Sequence, residues 1–166
     1  MNKIDHNQLP ELLLDIDKIA RKAGKKILEI YETDFSIANK EDNSPLTTAD
    51  TAAHKIICQG LLDLTPDIPI LSEESSHINF SERQKWKQYW LVDPLDGTRE
   101  FIKKNGEFSV NIALIDEHKS VLGVINIPIT DMSYMATINF GAYKSCLLYT
   151  SPSPRDGLLC SMPSSG

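Results

Sequence analysis

The 166-residue sequence is poor in cysteine. Its three, Cys58, Cys146 and Cys160, show no CxxC or ligand-like spacing. An odd number of thiols without a pairing pattern argues against a disulfide framework and suits a reducing cytoplasm. Long apolar runs are also missing. The opening "MNKIDHNQLPELLLDID" lacks the apolar core of a signal peptide, and no stretch approaches membrane-spanning length. Basic charge is in deficit, with 17 Lys+Arg against 23 Asp+Glu and a formal net charge of -6. That balance argues against nucleic-acid binding, which needs a basic footprint. It leaves room for a small phosphorylated ligand, because a bound metal ion inverts the local sign of a site. The expectation is a soluble cytoplasmic protein, which leaves room for peripheral association with the inner membrane.

What is present is patterned. From Pro10 to Tyr31, apolar residues Leu12, Ile16, Ile19, Ala20, Ala23, Ile27 and Ile30 recur at three- and four-residue steps, which predicts an amphipathic helix. A loop over "NKEDNSPLTTAD" leads to a second helix expected from Thr48, as its cap, to about Leu64. Its stripe is Ala52, Ala53, Ile56, Ile57, Gly60, Leu61 and Leu64. "IPILS" and Tyr89–Val92 read as short buried strands. "FSVNIALID" alternates Phe108, Val110, Ile112 and Leu114 with smaller or polar residues, as a strand with one face on a core does. "EHK" is a turn, "SVLGVINIPI" the returning strand, and "DMSYMATIN" a third. Two helices followed by a mainly antiparallel sheet predict a layered α+β domain.

The last 22 residues, "SCLLYTSPSPRDGLLCSMPSSG", hold six Ser and three Pro and show no periodicity. "CLLYTSPSPRD" looks like translated sequencing-adapter DNA. Residues 1–144 are therefore expected to form the native domain portion, and 145–166 a non-native or disordered tail.

Three acidic strings stand where predicted elements begin or end: "TTAD" (Thr47–Asp50), "LSEES" (Leu71–Ser75) and "DPLDGT" (Asp93–Thr98). Taken singly, each has an ordinary reading as a helix start, a solvated strand end or a tight turn. A chemical reading of DPLDGT sets Asp93 and Asp96 on one divalent cation such as Mg²⁺, which favours carboxylate, carbonyl and water oxygens. The Leu95 carbonyl offers one more oxygen. Gly97 lets the chain pass close to a ligand, with the Gly97 and Thr98 N–H groups facing phosphate oxygens. Glu73 and Glu74, leaving a buried strand beside that acidic turn, would repel it without a cation between them.

In order and spacing the three strings resemble the magnesium-dependent phosphomonoesterase superfamily that includes inositol monophosphatase and fructose bisphosphatase. "KEDNSPLTTAD", "LSEES", "YWLVDPLDGTREFIKKNGEFSVNIALID" and "LGVINIP" are most similar to the bacterial 3′(2′),5′-bisphosphate nucleotidases of the CysQ type. The likeness covers roughly Leu9 to Asn139. It implies an inositol monophosphatase-type α/β sandwich and Mg²⁺-dependent hydrolysis of adenosine 3′,5′-bisphosphate to AMP and phosphate. It also implies roles for individual residues. Glu73, Asp93, Leu95 (through its carbonyl) and Asp96 are metal ligands, and Glu74 supports Glu73. Asp50 and Thr98, with Glu73, prepare the attacking water. Leu95, Asp96, Gly97 and Thr98 hold the substrate phosphate.

The sequence departs from this pattern in having no "WDxAAG"-like string, whose Asp completes the metal site in the family. The expectation is an N-terminal part only, with weak metal binding and little turnover. Two alternatives stand beside it: an inositol or sugar phosphate phosphatase, and a non-catalytic metal- or phosphate-binding fragment. Lys103 and Lys104 are expected to be a solvated pair, Trp86 and Trp90 packing residues, and His54 a boundary residue.

Overall fold

A computed structural model describes residues 3–33, 45–75, 78–146 and 160–161. Helix α1 (Leu9–Tyr31) starts on Pro10, whose missing N–H is harmless in a first turn. Its buried stripe is Leu9, Leu13, Ile16, Ala20, Ala23 and Ile27. The stripe thus runs through Leu13 rather than Leu12, and Leu12 and Ile19 pack along its margin. Helix α2 (Pro45–Leu64) begins three residues before the expected Thr48 cap. The proline is the reason, since its fixed φ suits a helix start. Ala49, Ala53, Ile57 and Leu61 form the buried face of α2, and Leu64 is exposed, contrary to the predicted stripe. The two helices meet at Gly60, where an added Cβ would lie 2.8 Å from Ile19.

The sheet runs in sequence order. It comprises β1 (Ile70–Ser72), β2 (Gln88–Asp96), β3 (Ser109–Asp116), β4 (Lys119–Ile127), β5 (Met132–Thr137) and β6 (Gly141–Cys146), with a two-residue β7 (Cys160–Ser161) beside β6. Only the β1–β2 pair is parallel; the described pairs from β2 to β7 are antiparallel. Short helices α3 (Phe80–Arg83) and α4 (Thr98–Lys103) flank β2 in the chain. The β3–β4 hairpin turns through Glu117 and His118, both at positive φ (45° and 65°), the conformation that matches strand twist in a two-residue loop.

Helices α1 and α2 cover one face of the sheet. Trp90, Val92, Val110, Ile112, Leu114, Leu122, Val124 and Met135 are buried against them. Trp90 is fully buried, and its indole N–H donates to Thr65 Oγ1 at 2.9 Å; replacing a core Trp by Ala typically costs about 3–5 kcal/mol. Trp86, at the boundary, packs tilted against Tyr89 with ring centroids 5.9 Å apart. On the face opposite α1 and α2, Leu91, Ile125 and Tyr134 are exposed. The layered α+β class, the mainly antiparallel sheet and both long helices are as the sequence predicts.

Strand β2 runs past the expected end at Val92 to Asp96. The ladder pairs Asp93 with Asn111 and Asp96 with Ser109, so one extra residue is accommodated between them. Pro94 sits in this bulge, where a strand tolerates a residue with no N–H to give. Strand β6 was not expected at all. It reaches Cys146, two residues beyond the predicted domain limit. Apart from these two residues and the Cys160–Ser161 pair, the expected tail lies outside the described residues, as does most of the loop before α2.

Candidate functional site

The register places the acids. Ser72 pairs with Val92 and Asp93 with Asn111, so the position after Ser72, Glu73, follows alongside Asp93 at the end of β1. The Glu73 N–H donates to the Val92 carbonyl at 3.2 Å, and the Ser75 N–H to the Ser72 carbonyl at 3.1 Å. These bonds make 72–75 a turn whose two central residues are Glu73 and Glu74. Asp93 alternates with the inward-facing Val92 and therefore projects from the opposite face. Asp50 comes from the start of α2.

The structure brings Asp50, Glu73, Glu74, Asp93 and Asp96 into one electrostatic neighbourhood. Burial pushes the Asp50 carboxyl up to about 7, with the charges of Glu74, Glu73 and Asp93 and a hydrogen bond to Glu74 adding to it. Burial likewise lifts Asp93 to about 6, helped by the charges of Glu73 and Asp96 and a hydrogen bond with Glu73. The Leu95 N–H donates to Asp93 and opposes that rise. Even so, Oδ1 of Asp50 and Oδ1 of Asp93 are buried without a hydrogen-bond partner. A buried carboxylate oxygen with no donor, among four other acids, is a demand for positive charge.

That is the test a metal must meet, and the donor chemistry passes it. The carboxylates are hard oxygen donors, and a divalent cation would supply the positive charge that the buried oxygens of Asp50 and Asp93 lack. The geometry is less complete. Among the described residues no three His, Cys, Asp or Glu side chains converge closely enough to hold a metal ion. The acids instead pair off, Asp50 with Glu74 and Asp93 with Glu73. Asp96 is exposed and accepts from Asn111 Nδ2 at 3.1 Å.

Gly97 has φ 89°, and a Cβ there would stand 2.6 Å from the Glu107 carbonyl oxygen. Only glycine lets the chain turn here from β2 into α4. Thr98 is the exposed first residue of α4, whereas the Leu95 side chain is buried in the core, leaving only its backbone to face the acids. An open cleft of about 680 Å³ runs from Glu73 and Asp93 along the opposite sheet face past Asn111 and Ile125, with Arg83 the one cationic residue of its lining. Lys103 is exposed; Lys104 is exposed too but donates to the Tyr31 and Thr33 carbonyls and lies 4.5 Å from the Tyr31 ring centre. It is therefore tied to the end of α1 rather than simply solvated.

Asn111 and Ser72 join the site without a motif in the sequence to mark them. Asn111 orients Asp96. Ser72, 5% exposed, accepts or donates a 2.9 Å hydrogen bond with His54 Nδ1. The only prior signal for either was spacing: Asn111 alternates with core residues of β3, and His54 stands one helical turn after Asp50.

Residues 10–163 match the model of the inositol monophosphatase family. The chain is 47% identical over 133 residues to the 3′(2′),5′-bisphosphate nucleotidase CysQ of Aggregatibacter actinomycetemcomitans, covering 80% of this chain and 49% of that protein. It is 52% identical over 127 residues to the same-named protein of Escherichia coli O6:H1, covering 75% and 51%. Among solved structures, CysQ from Bacteroides thetaiotaomicron, described as a bacterial member of the inositol monophosphatase family, superposes with a TM-score of 0.74 at 43% identity. That superposition covers 94% of this chain and 52% of that one. The chain spans about half the length of the curated relatives it matches.

Proposed function

The chain belongs to the inositol monophosphatase family, and from that premise we propose that its acidic cluster is part of a Mg²⁺-dependent phosphomonoesterase site acting on adenosine 3′,5′-bisphosphate. Enzymes of this family are metal-dependent; magnesium is the choice the all-oxygen donor set favours. The observation that carries the reading is the pair of buried, donorless oxygens on Asp50 and Asp93 within a cluster of five acids. The substrate class follows the relatives, named bisphosphate nucleotidases at 47% and 52% identity.

Glu73, Asp93, Asp96 and the Leu95 carbonyl would hold the metal, with Glu74 supporting Glu73. A bound divalent ion supplies Lewis acidity, neutralising charge on a transferring phosphoryl group and lowering the pKa of water. Asp50 and Thr98 would orient the attacking water and take its proton. The turn at Gly97 would let a phosphate approach the backbone of residues 95–98. Asn111, by holding Asp96, would keep that carboxylate turned toward the site.

A second reading has its own observation. Because the acids pair off rather than converge on one point, this chain alone would bind a cation weakly and turn over little substrate.

Calorimetry with Mg²⁺ on the wild type and on Asp93→Asn tests the first element. Binding heat lost in the variant supports the site, and equal heats sink it. Phosphate release from adenosine 3′,5′-bisphosphate and from inositol 1-phosphate, measured side by side, tests the substrate. Faster release from the inositol ester would move the assignment to an inositol phosphatase. Release at a rate of about 1 s⁻¹ or more from this chain alone would overturn the expectation of low turnover.

A further inference from the structure

Asp50 lies on α2, while Glu73 and Glu74 lie on the turn that follows β1. Nothing in the ladder ties that turn to the helix, since β1 pairs with β2 alone. Beside the Asp50–Glu74 hydrogen bond, one further side-chain contact does, and it lies outside the acids themselves. His54 Nδ1 is 2.9 Å from Ser72 Oγ. His54 is on the same face of α2 as Asp50, one turn further on. Ser72 is the first residue of the turn: its carbonyl accepts the Ser75 N–H that closes the turn around Glu73 and Glu74. Ser72 is also buried, so its hydroxyl requires a partner, and His54 is the one it has. The Cys58 thiol, 3.6 Å from Nδ1 and 3.7 Å from Nε2, packs against the imidazole from the next turn of α2.

We propose that His54 is a positioning residue for the acidic site. Through Ser72 it fixes the Glu73–Glu74 turn against the helix that carries Asp50, and so sets the spacing of the carboxylates that would receive the cation. This deepens, and rests on, the reading of the cluster as a cation site. A histidine does this well because its ring reaches across the helix–strand gap rigidly, with two side-chain torsions to fix. Groups that orient ligands from behind are typically worth about 10- to 100-fold in metal affinity. His54 acts one residue further from the metal, so the lower end applies.

The test uses His54→Leu, Ser72→Ala, their double variant and His54→Asn, whose amide can occupy the place of Nδ1. Mg²⁺ dissociation constants are measured by calorimetry, and exchange of the Ser75 amide by hydrogen–deuterium NMR, on variants shown to be folded by their melting. His54→Leu and Ser72→Ala are each expected to weaken Mg²⁺ binding about 10-fold and to expose the Ser75 amide to exchange. The double variant is expected to be no weaker than either single one, and His54→Asn to recover most of the affinity. Unchanged affinity in folded His54→Leu, additive losses in the double variant, or no recovery with Asn would each overturn the proposal, because loss of packing alone would be additive and indifferent to the amide. If His54→Leu does not fold, Ser72→Ala, which removes one oxygen, decides the matter. Absence of Mg²⁺ heat in the wild type is a different result: it overturns the cation reading and this inference with it.

Discussion

Asp50 and Glu74 share a hydrogen bond, carboxyl to carboxyl, between the start of α2 and the turn after β1. Such a bond needs a proton on one partner. Asp93 and Glu73 repeat the arrangement a few residues away. Between the unfolded and folded values, the folded chain therefore holds protons on Asp50 and Asp93 that the unfolded chain would release.

The first prediction is a pH dependence. Asp50 rises from an ordinary 3.8 to about 7 and Asp93 from 3.8 to about 6 on folding, through burial first and neighbouring acids second. A raised acid binds more protons folded than unfolded, so its contribution is neutral below about pH 3.8, grows more destabilising as pH rises from there to the folded value, and is constant above it. The melting midpoint without metal should fall between about pH 4 and pH 7 and level off above that, and saturating Mg²⁺ should remove most of that fall by binding the folded state. Asp50→Asn should flatten the metal-free curve. A wild-type midpoint level across that range would show that the carboxyls are not held as described.

A second prediction concerns the other end of the pH scale. Asp116 is 4% exposed and paired with Lys3 Nζ at 2.9 Å and His6 Nε2 at 2.8 Å. Burial alone would raise its carboxyl, but these bonds and charges outweigh burial and hold it below the ordinary value. A lowered acid stabilises the fold above the unfolded value and loses that contribution as pH falls through the folded one. Asp116→Asn should therefore cost about 1–2 kcal/mol at neutral pH, discounted because Lys3 and His6 are partly exposed. The cost should shrink as pH falls through the folded value, which lies below the ordinary one. Urea midpoints at neutral and acidic pH measure the difference.

Much of this fold was legible because burial was periodic. The β3–β4 hairpin followed from strict alternation, and α1 from its three- and four-residue steps. The end of β2 was misplaced because hydrophobicity stops at Val92 while the ladder continues: backbone pairing does not require apolar side chains, and Pro94 is absorbed by a bulge. Strand β6 was invisible because no residue in it is fully buried, so it lacks the alternation that reveals a strand. The site acids were readable in outline, since acids at the ends of buried runs need partners. Their supports were not. Asn111 and Ser72 are ordinary polar residues within strands, and only the register between strands gives them a role.

Arg21 gives a third prediction, about how α1 is fixed to the sheet. Its guanidinium donates to Asp17 Oδ2 at 2.9 Å, to Asp131 Oδ1 at 2.6 Å and to the Ser145 carbonyl at 3.2 Å. One buried cation thus binds its own helix, the residue before β5 and the end of β6. Arg21→Ala would leave Asp17 buried without its counter-charge, a loss typically of about 3–5 kcal/mol. Arg21→Met, which keeps the stem's packing, should cost less. Denaturant midpoints rank the two, and equal losses would assign the whole effect to charge.

The last prediction separates stability from function at one atom. Asp93 lies at the end of β2 with Oδ1 buried and unpartnered, beside Glu73 and Asp96. At neutral pH its charge works against the fold, and nothing described on the protein offsets it fully. Asparagine keeps the shape and the acceptor for the Leu95 N–H but removes the charge. Without metal, Asp93→Asn should therefore stabilise the chain by about 1 kcal/mol, which for a domain of this size is a rise of about 2–4 °C in melting midpoint. With Mg²⁺ the order should reverse, because the variant has lost a ligand while the wild type gains binding energy that only the folded state can use. The two melting curves therefore cross as Mg²⁺ is added. A variant less stable than wild type in the absence of metal would mean that Asp93 serves the fold rather than a cation.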